Sequence, residues 1–321
     1  MRTLQVLAAL VLCAGAAAAP ARAQSPQAPP LHLFSVGSGD LSGVYYAVAR
    51  AACRTFNARG RPDLRCSPEP TSGSVYNLVM LRERELDFAL TQSDWQRAAH
   101  EGVGLFAGDG PAPWLRSVAS LYSEPITVLA RGEAGLAETI DLAGRRVDIG
   151  HPASGRNATV QAMLARMDLD LGFFGEVTTH DPRRAIEELC AGRLDAAVFV
   201  LGHPNALVAE AIERCGATLL PFRGPRIMRL LEEHPDYSTV TIPSVYEGQA
   251  SPVPTVAVHA TLVTRSDVSE ETVAGLVRAL EAVRDDPSGA IPQLVDAALS
   301  EPGAEGLVAP RHRAVRLDER R

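Results

Sequence analysis

The sequence predicts an α/β protein with two lobes, each built on a mainly parallel sheet. Apolar extended segments alternate with segments of helical period along the chain, and this alternation is typical of parallel sheets with crossover helices. The alternation occurs twice, over residues 31–122 and again over residues 126–220. Two such runs indicate two sheets and therefore two lobes with a cleft between them.

In the first run, three predicted strands cover residues 31–36, 64–68 and 87–91. Helices are predicted over 44–57 and 75–84, and the first is indicated by Val44, Val48, Ala51, Ala52 and Phe56 on one face. Two further strands are expected at 117–122 and 126–131, separated by residues 123–125 (SEP).

In the second run, a strand ends at Gly150, and a later strand covers residues 195–201. Helices are predicted over 157–167, 182–191 and 206–215, and Pro182 suits the first turn of the second. The apolar segment 253–265 then returns the chain to the first lobe, where an amphipathic helix covers 269–285. We therefore assign residues 31–124 with 257–301 to lobe 1 and residues 125–256 to lobe 2, followed by a flexible tail at 302–321.

Residues 1–23 are predicted to be a cleaved signal peptide. Arg2 precedes an apolar run over residues 4–19, and Ala21-Arg22-Ala23 fits the small-x-small cleavage rule. The alternative is an uncleaved membrane anchor. Residues 24–30 (QSPQAPP) read as a flexible or polyproline-like tether. This segment predicts export to the periplasm.

Composition excludes several classes of function. The 321 residues carry a formal charge of −7, which argues against nucleic acid as the main partner. All 31 basic residues are arginines, so a Schiff-base lysine and a Walker-A lysine are excluded. The chain also lacks the G-x-S-x-G and H-E-x-x-H motifs of hydrolases. We expect neither catalysis nor a cofactor.

The cysteines predict disulfides. Four of the five lie outside the predicted signal peptide, as the local pairs Cys53/Cys66 and Cys190/Cys215. An even count in an exported chain suggests that each pair is bonded, and buried free thiols are the alternative. No C-x-x-C or H-x-x-x-H spacing supports a metal site.

Small polar residues follow four predicted strands, in the segments 37–43, 71–74, 92–94 and 151–157. Ligands of open α/β sheets bind outside the carboxyl ends of the strands, where free N–H groups at helix N-termini suit carboxylates. These loops indicate a cleft for an anionic ligand, although capping of helices alone would also explain each of them. The 37–43 loop has the spacing G-x-G-x-x-x-G, one residue too long for a dinucleotide site.

Eight short motifs follow one another along the chain. They are 37–46 (GSGDLSGVYY), 71–77 (TSGSVYN), 85–94 (ELDFALTQSD), 119–125 (ASLYSEP), 141–147 (DLAGRRV), 152–155 (PASG), 192–200 (GRLDAAVFV) and 253–256 (VPTV). Their order resembles the TAXI family, the extracytoplasmic solute receptors of tripartite ATP-independent periplasmic (TRAP) transporters. The resemblance covers roughly residues 33–265.

This resemblance implies a monomeric, two-lobed periplasmic binding protein of a type II-like fold. Such a receptor closes on a small solute, often a carboxylate such as glutamate or a dicarboxylate. It then delivers the solute to an ion-driven TRAP permease and performs no bond chemistry. The alternative is a binding module of similar fold that serves an ABC importer or a sensor kinase.

The expected ligand-binding residues are distributed over both lobes. Backbone N–H groups at two helix starts, with a tyrosine wall and hydrogen-bonding side chains, form the first-lobe half of the cleft. The crossover between the lobes supplies the floor, and the loop after Gly150 supplies the second half. The set is Gly43, Val44, Tyr45, Ser72, Gly73, Ser74, Gln92, Ser93, Tyr122, Pro125, Ser154, Gly155, Arg156, Asn157, Ala158, Gly202 and His203.

Arg156 is predicted to pair bidentately with the carboxylate of the ligand. The alternative is a solvated arginine at the start of a helix. Members of the resembling family often have Gln then Arg at positions 156–157, where this chain has Arg156 then Asn157. A displacement by one residue turns a helical side chain by about 100°, so this chain either holds its ligand differently or holds a different ligand.

Overall fold

The computed structural model describes residues 30–59, 62–234, 236–286, 288, 291–295, 297, 299 and 304–318. The predicted signal peptide and residues 24–29 of the tether lie outside the described residues. Among the helices described, none is long and apolar enough to cross a membrane.

The described residues form strands and helices that alternate along the chain. The strands are β1 (His32–Gly37), β2 (Leu64–Glu69), β3 (Phe88–Gln92), β4 (Leu115–Ala130), β5 (Arg146–Asp148), β6 (Glu176–Thr178), β7 (Ala196–Val200), β8 (Thr218–Leu220), β9 (Ser238–Ile242) and β10 (Val253–Arg265). The helices are α1 (Val44–Arg59), α2 (Ser74–Arg82), α3 (Ser93–Glu101), α4 (Gly155–Arg166), α5 (Pro182–Cys190), α6 (Ala206–Cys215), α7 (Pro225–Glu233), α8 (Glu270–Arg284) and α9 (Arg313–Asp318).

The strands follow the order β2-β1-β3-β10-β4-β7-β5-β6, with β8 on β4 and β9 on β10. β1 pairs in parallel with β2 and β3, and β5 pairs in parallel with β6 and β7. β10 is antiparallel to β3 and β4, and β4 is antiparallel to β7. Each lobe therefore has a parallel part, and antiparallel strands join the two parts.

β4 and β10 are continuous through both lobes. The two strands predicted at 117–122 and 126–131 are one 16-residue strand, so the predicted break at residues 123–125 is wrong. Pro125 has no backbone N–H group to donate to a neighbouring strand. It is tolerated in β4 because the pairing of β4 with β7 begins one residue later, at Ile126. β4 and β10 together carry the chain between the lobes.

Several described elements were not predicted, and α3 and α7 are the longest of them. The segment 92–94, predicted to be a loop, is the junction between β3 and α3, whose buried apolar residues are Trp95, Ala98 and Ala99. α7 buries Ile227 and Leu230. The strands β6, β8 and β9 and the helix α9 were also missed, and these elements are too short for a clear periodic pattern.

Apolar clusters lie on both sides of this sheet system. One packs α1 and α8 on the first-lobe strands, and others pack α4, α5, α6 and α7 on the second-lobe strands. The predicted flexible tail differs from the structure, since His312 is 1% exposed and Ala314 and Val315 belong to the first-lobe cluster. Apolar side chains in this segment bury against α8 and β4 and order it.

Both predicted disulfides are confirmed. Cys53 of α1 is bonded to Cys66 of β2, and Cys190 at the end of α5 is bonded to Cys215 at the end of α6. The first bond ties the consecutive elements α1 and β2, and the second ties α5 to α6, which β7 separates along the chain.

We expect the double variant Cys53→Ser/Cys66→Ser to lose about 3 kcal/mol of unfolding free energy, because the bond closes a loop of 13 residues in the unfolded chain. Urea denaturation with and without a reductant measures this loss. The reductant should still destabilise the double variant through Cys190–Cys215, but by less than it destabilises the unmodified protein. Equal effects of the reductant on the two proteins would contradict the prediction.

Candidate functional site

A cavity of about 300 Å³ lies where the loops of the two lobes meet. We call it the cleft. It is bounded on one side by the loop before α1, the start of α2 and the end of β3. On the other side are the start of α4 and the residues that follow β6 and β7. The carboxyl ends of parallel strands meet here, as expected for a ligand site in an α/β sheet.

Two tyrosines and a glutamate form the wall at the crossover. Tyr122 and Glu124 both line the cleft because they are two residues apart on β4 and so point to the same face. Tyr45 of α1 donates a hydrogen bond of 2.7 Å from its hydroxyl to Glu124 Oε2. The hydroxyl of Tyr122 is buried and has no hydrogen-bond partner among the described residues.

Burial raises the pKa of Glu124 from its ordinary 4.5 to about 8, while the hydrogen bond from Tyr45 lowers it and the charge of Asp94 raises it further. Burial also raises the pKa of Tyr45 and of Tyr122. This wall is therefore neutral near pH 7, with the Glu124 carboxyl mainly protonated and able to donate a hydrogen bond.

Arg156 on the opposite wall is buried and held by its own lobe. Its Nη2 lies 2.5 Å from Asp148 Oδ1, and its Nε donates to the carbonyl of Val198. The guanidinium stacks 4.1 Å from the ring centroid of Phe199. The interpretation as a solvated arginine is wrong, because α4 begins at Gly155 and points this side chain into the sheet of the second lobe.

One nitrogen of Arg156 remains free. Nη1 is buried without a hydrogen-bond partner among the described residues, although the residue lines the cleft. Burial lowers the pKa of Arg156 to about 10, and Asp148 opposes this shift. Asp148 is held in turn by hydrogen bonds from Gly150 N, Thr178 Oγ1 and His180 N. The pair therefore offers a fixed, charged donor to the cleft.

The two walls touch at the starts of α2 and α4. Ser74 Oγ donates to Gln92 Oε1 at 3.1 Å, and Gln92 Nε2 donates to Thr159 Oγ1 of α4 at 3.3 Å. A Cβ atom on Gly155 would overlap Gln92 Oε1 and lie 2.6 Å from Ser74 Oγ. Only glycine permits this approach of the lobes.

Thr159 is the centre of a buried network between the lobes. It donates a 2.7 Å hydrogen bond to Asp94 Oδ2 and accepts a 2.8 Å bond from Trp95 Nε1. Burial raises the pKa of Asp94 to about 6, although the hydrogen bonds from Thr159 and from the backbone N–H of Trp95 lower it. This network orders the contact between α3 and α4 beside the cleft.

The structure brings most of the predicted ligand-binding residues together. Those that line the cleft are Gly43, Val44, Tyr45, Ser72, Gly73, Ser74, Gln92, Tyr122, Ser154, Gly155, Arg156 and Gly202. Ser154 is also the N-cap of α4, where its Oγ accepts a hydrogen bond from Asn157 N. Ser154 therefore both caps α4 and lines the cleft.

The remaining predicted residues lie outside the lining of the cleft. Ser93 Oγ accepts from His259 N, and Asn157 Nδ2 donates to the carbonyl of Gly150. Ala158 packs in the apolar cluster beneath α2. His203 contacts Thr127 Oγ1 and the Tyr246 hydroxyl, and burial lowers its pKa to about 4.

Pro125 also lies outside the lining. Its carbonyl accepts from Leu201 N and Thr127 Oγ1. The binding role of Pro125 was predicted from its place at the crossover between the lobes, and the roles of the other four from closeness in sequence to the loops. Neighbouring residues on a strand or a helix point in different directions, so closeness in sequence does not place a side chain in the cleft.

Sequence reasoning missed about half of the lining. Glu124 lies in the segment 119–125, one of those that carry the family resemblance. Residues 180–182 follow β6 and residues 199–201 are at the end of β7, so both segments occupy the same kind of position as the predicted loops. The lining residues that were not predicted are Gly39, Asp40, Thr71, Glu124, Gly150, His151, His180, Asp181, Pro182, Phe199, Val200, Leu201, Asn205 and Leu207. Among the described residues no cluster of three or more His, Cys, Asp or Glu side chains is placed to hold a metal ion.

The Gly155→Ala variant should drive the two walls apart, since the new methyl group overlaps Gln92 across the lobes. We expect the substitution to destabilise the contact between the two walls by about 1–3 kcal/mol. The radius of gyration in small-angle X-ray scattering should therefore increase. Gly108→Ala is the control, because nothing lies within 4 Å of a Cβ atom there. The same radius in both variants would show that the lobes do not meet at Gly155.

The Glu124→Gln variant should weaken the pH dependence of stability. The folded protein keeps Glu124 protonated up to about pH 8, whereas the unfolded chain ionises near its ordinary 4.5. The free energy of unfolding therefore falls as pH rises through this window.

Glutamine stays neutral and should remove at least about 1 kcal/mol of that fall, since one pKa unit corresponds to about 1.4 kcal/mol. Urea denaturation at pH 5 and pH 8 measures both proteins. If the free energy of unfolding falls between pH 5 and pH 8 by the same amount in both proteins, the pKa of Glu124 is near its ordinary value.

A family model described as the NMT1-like family matches residues 36–316 of the chain. Among solved structures, the periplasmic binding protein BugD is 12% identical with a TM-score of 0.52, over 84% of this chain and 87% of that one. The alkanesulfonate-binding protein SsuA from Xanthomonas axonopodis pv. citri, bound to MOPS, is 16% identical with a TM-score of 0.50, over 84% and 80%. These likenesses confirm the predicted two-lobed α/β fold of periplasmic binding proteins.

Proposed function

Since this chain belongs to the NMT1-like family, we propose that it is a periplasmic solute receptor that closes its two lobes on a small carboxylate and delivers it to a membrane permease. The receptor works as a monomer, without a cofactor and without bond chemistry. The cleft between the lobes is the binding site, and closure follows from tighter binding of the solute by the closed state than by the open one.

The free Nη1 of Arg156 is the observation that carries this proposal. A buried charged donor without a partner costs free energy unless a ligand satisfies it. Its position in the lining of the cleft supports an acidic group of the solute as that partner. The guanidinium is fixed by Asp148, Val198 and Phe199, so binding requires little ordering of the side chain.

The crossover wall supplies the second set of contacts. Tyr122 and Glu124 both line the cleft, and the unpartnered Tyr122 hydroxyl and the protonated Glu124 carboxyl can donate hydrogen bonds to oxygens of the solute. A cavity of about 300 Å³ is at the small end of the usual range for ligand sites, roughly 300–1,000 Å³. Glutamate-like amino acids and dicarboxylates are solutes of this size and chemistry.

We propose a TRAP permease as the partner, on the strength of the motifs that resemble the TAXI family. The fold supports an ABC importer equally well, since receptors of similar fold serve several systems. Uptake of the identified solute into membrane vesicles of the native host, measured with the purified receptor added, separates the two. A TRAP system loses uptake when an ionophore collapses the ion gradient, whereas an ABC importer loses it when ATP is withdrawn.

A thermal-shift screen against amino acids, dicarboxylates, keto acids and alkanesulfonates identifies the solute. A ligand at 100 times its dissociation constant should stabilise the fold by about 2.7 kcal/mol. Absence of a shift with every acid, after unfolding and refolding to remove bound solute, would overturn the carboxylate assignment.

The Tyr122→Phe variant should bind the identified acid about tenfold more weakly, since one hydrogen bond to the solute is lost. Its free energy of unfolding without solute should stay the same or rise by about 1 kcal/mol, because a buried unpartnered hydroxyl is removed. Tyr76→Phe is the control, since Tyr76 is exposed and outside the lining. Calorimetric titration and urea denaturation measure the two quantities.

Arg156→Lys keeps a positive charge beside Asp148 but removes Nη1, the nitrogen that has no hydrogen-bond partner among the described residues. We expect its affinity for the acid to fall at least about tenfold, the effect of losing one charge-assisted hydrogen bond. Wild-type affinity in a folded Arg156→Lys variant would move the acid site to the N–H groups at the helix starts.

A further inference from the structure

A second cavity lies inside the second lobe, between its sheet and helices α4 and α7. Its volume is about 410 Å³, which is within the usual range for small-molecule sites, roughly 300–1,000 Å³. We call it the lobe-2 cavity. No residue that lines it also lines the cleft.

The walls of the lobe-2 cavity are apolar. Ile126 and Val128 come from β4, Val198 from β7, Met163 from α4 and Met167 from the residue directly after α4, and all five are buried. Methionine side chains adapt their shape to the molecule that they contact. These walls offer no polar partner to a ligand, so the part of a ligand that enters must be apolar.

The lobe-2 cavity and the cleft are lined by different residues of the same strand. Val198 of β7 lines the cavity, whereas the next two residues, Phe199 and Val200, line the cleft at the end of that strand. Because the two linings share no residue, a ligand can occupy one site without contact with the lining of the other.

The mouth of the lobe-2 cavity is polar and positively charged. Glu138, Ile140, Arg223 and Arg226 line it and are exposed. Arg223 Nη2 pairs with Glu138 Oε1 at 3.0 Å, so these two charges cancel. Arg226 makes no ion pair or side-chain hydrogen bond to any described residue, and its positive charge remains.

The start of α7 adds to this charge. Gly224 and Pro225 precede Arg226 and Ile227 at the mouth, and the first backbone hydrogen bond into the helix is from Met228 N to Gly224 O. The N–H groups of Arg226 and Ile227 therefore have no acceptor among the described residues. Free N–H groups at a helix start favour an anion.

We infer that the lobe-2 cavity binds a single-chain carboxylate with an alkyl tail, such as a medium-chain fatty acid. The tail occupies the apolar interior, and the carboxylate stays at the mouth, beside Arg226 and the start of α7. The uncancelled positive charge selects an anionic head over a cationic or neutral one. This site is separate from the solute cleft, and its occupant is a second ligand.

Calorimetric titration of the purified protein with sodium butanoate, hexanoate, octanoate and decanoate tests the apolar interior. Each methylene that enters should tighten binding by about fourfold, the equivalent of about 0.8 kcal/mol. Decanoate should bind more tightly than 1-decanol, because the alcohol lacks the charge. Affinity independent of chain length, or equal affinity for decanoate and decanol, would overturn the inference.

Two arginines of α7 provide a matched pair for the mouth. Arg226→Gln should weaken decanoate severalfold and leave decanol unchanged, since it removes the charge at the mouth. Arg229→Gln should change neither, because Arg229 pairs with Asp168 and is outside the lining of the cavity. If both substitutions weaken decanoate binding equally, the affinity depends on the total charge of the protein and not on the position of Arg226 at the mouth. That result would overturn the assignment of Arg226.

Met163→Trp fills the interior and should abolish decanoate binding, while thermal-shift binding of the acid in the cleft persists. Tyr122→Phe should leave decanoate binding unchanged. Loss of decanoate binding in Tyr122→Phe, with binding kept in Met163→Trp, would place decanoate in the cleft and overturn the inference. If Met163→Trp does not fold, the chain-length series and the Arg226 pair decide the question without it.

Discussion

The antiparallel pairing of β4 with β10 is the constraint on which the rest of this structure depends. Both strands pass from one lobe to the other, and their register places Glu124 opposite Val258 and Tyr122 opposite Ala260. Because side chains alternate along a strand, this register fixes Tyr122 and Glu124 on the face that lines the cleft. A slip by one residue would turn both side chains away and present Ser123 instead. The connection between the lobes and the floor of the site are thus the same piece of chain.

The buried pair of Arg156 and Asp148 has a corresponding role in the second lobe. It joins α4 to β5, and the bond from Arg156 to the carbonyl of Val198 adds β7. A buried ion pair contributes little net stability, because desolvation offsets the attraction. The geometry here points to positioning: these bonds hold the guanidinium in the wall of the cleft and leave Nη1 without a hydrogen-bond partner among the described residues. The charge of Arg156 is paired within the lobe with that of Asp148.

The second lobe contributes to two sites through different parts of one helix. The first turn of α4, with Gly155 and Arg156, lines the cleft, whereas Met163 near its end and Met167 directly after it line the lobe-2 cavity. The helix is held at its start by the Ser154 cap and by Thr159 at the contact with α3. These polar contacts order the end of α4 at the cleft. The other end packs through methionines, whose flexible side chains tolerate a space beside them.

The sequence by itself determined the alternation of strands and helices, the disulfide pairs and the loops that surround the cleft. These features are local: periodicity shows which face of a segment is apolar, and small polar residues show where a strand gives way to a helix. Only the tertiary structure decided that Asp148 is the partner of Arg156, that Glu124 faces the cleft and that α4 and α7 leave an apolar cavity. These depend on which segments lie opposite each other across β4 and β10. Contacts between residues far apart in the chain leave no period in either segment, so no local pattern predicts them.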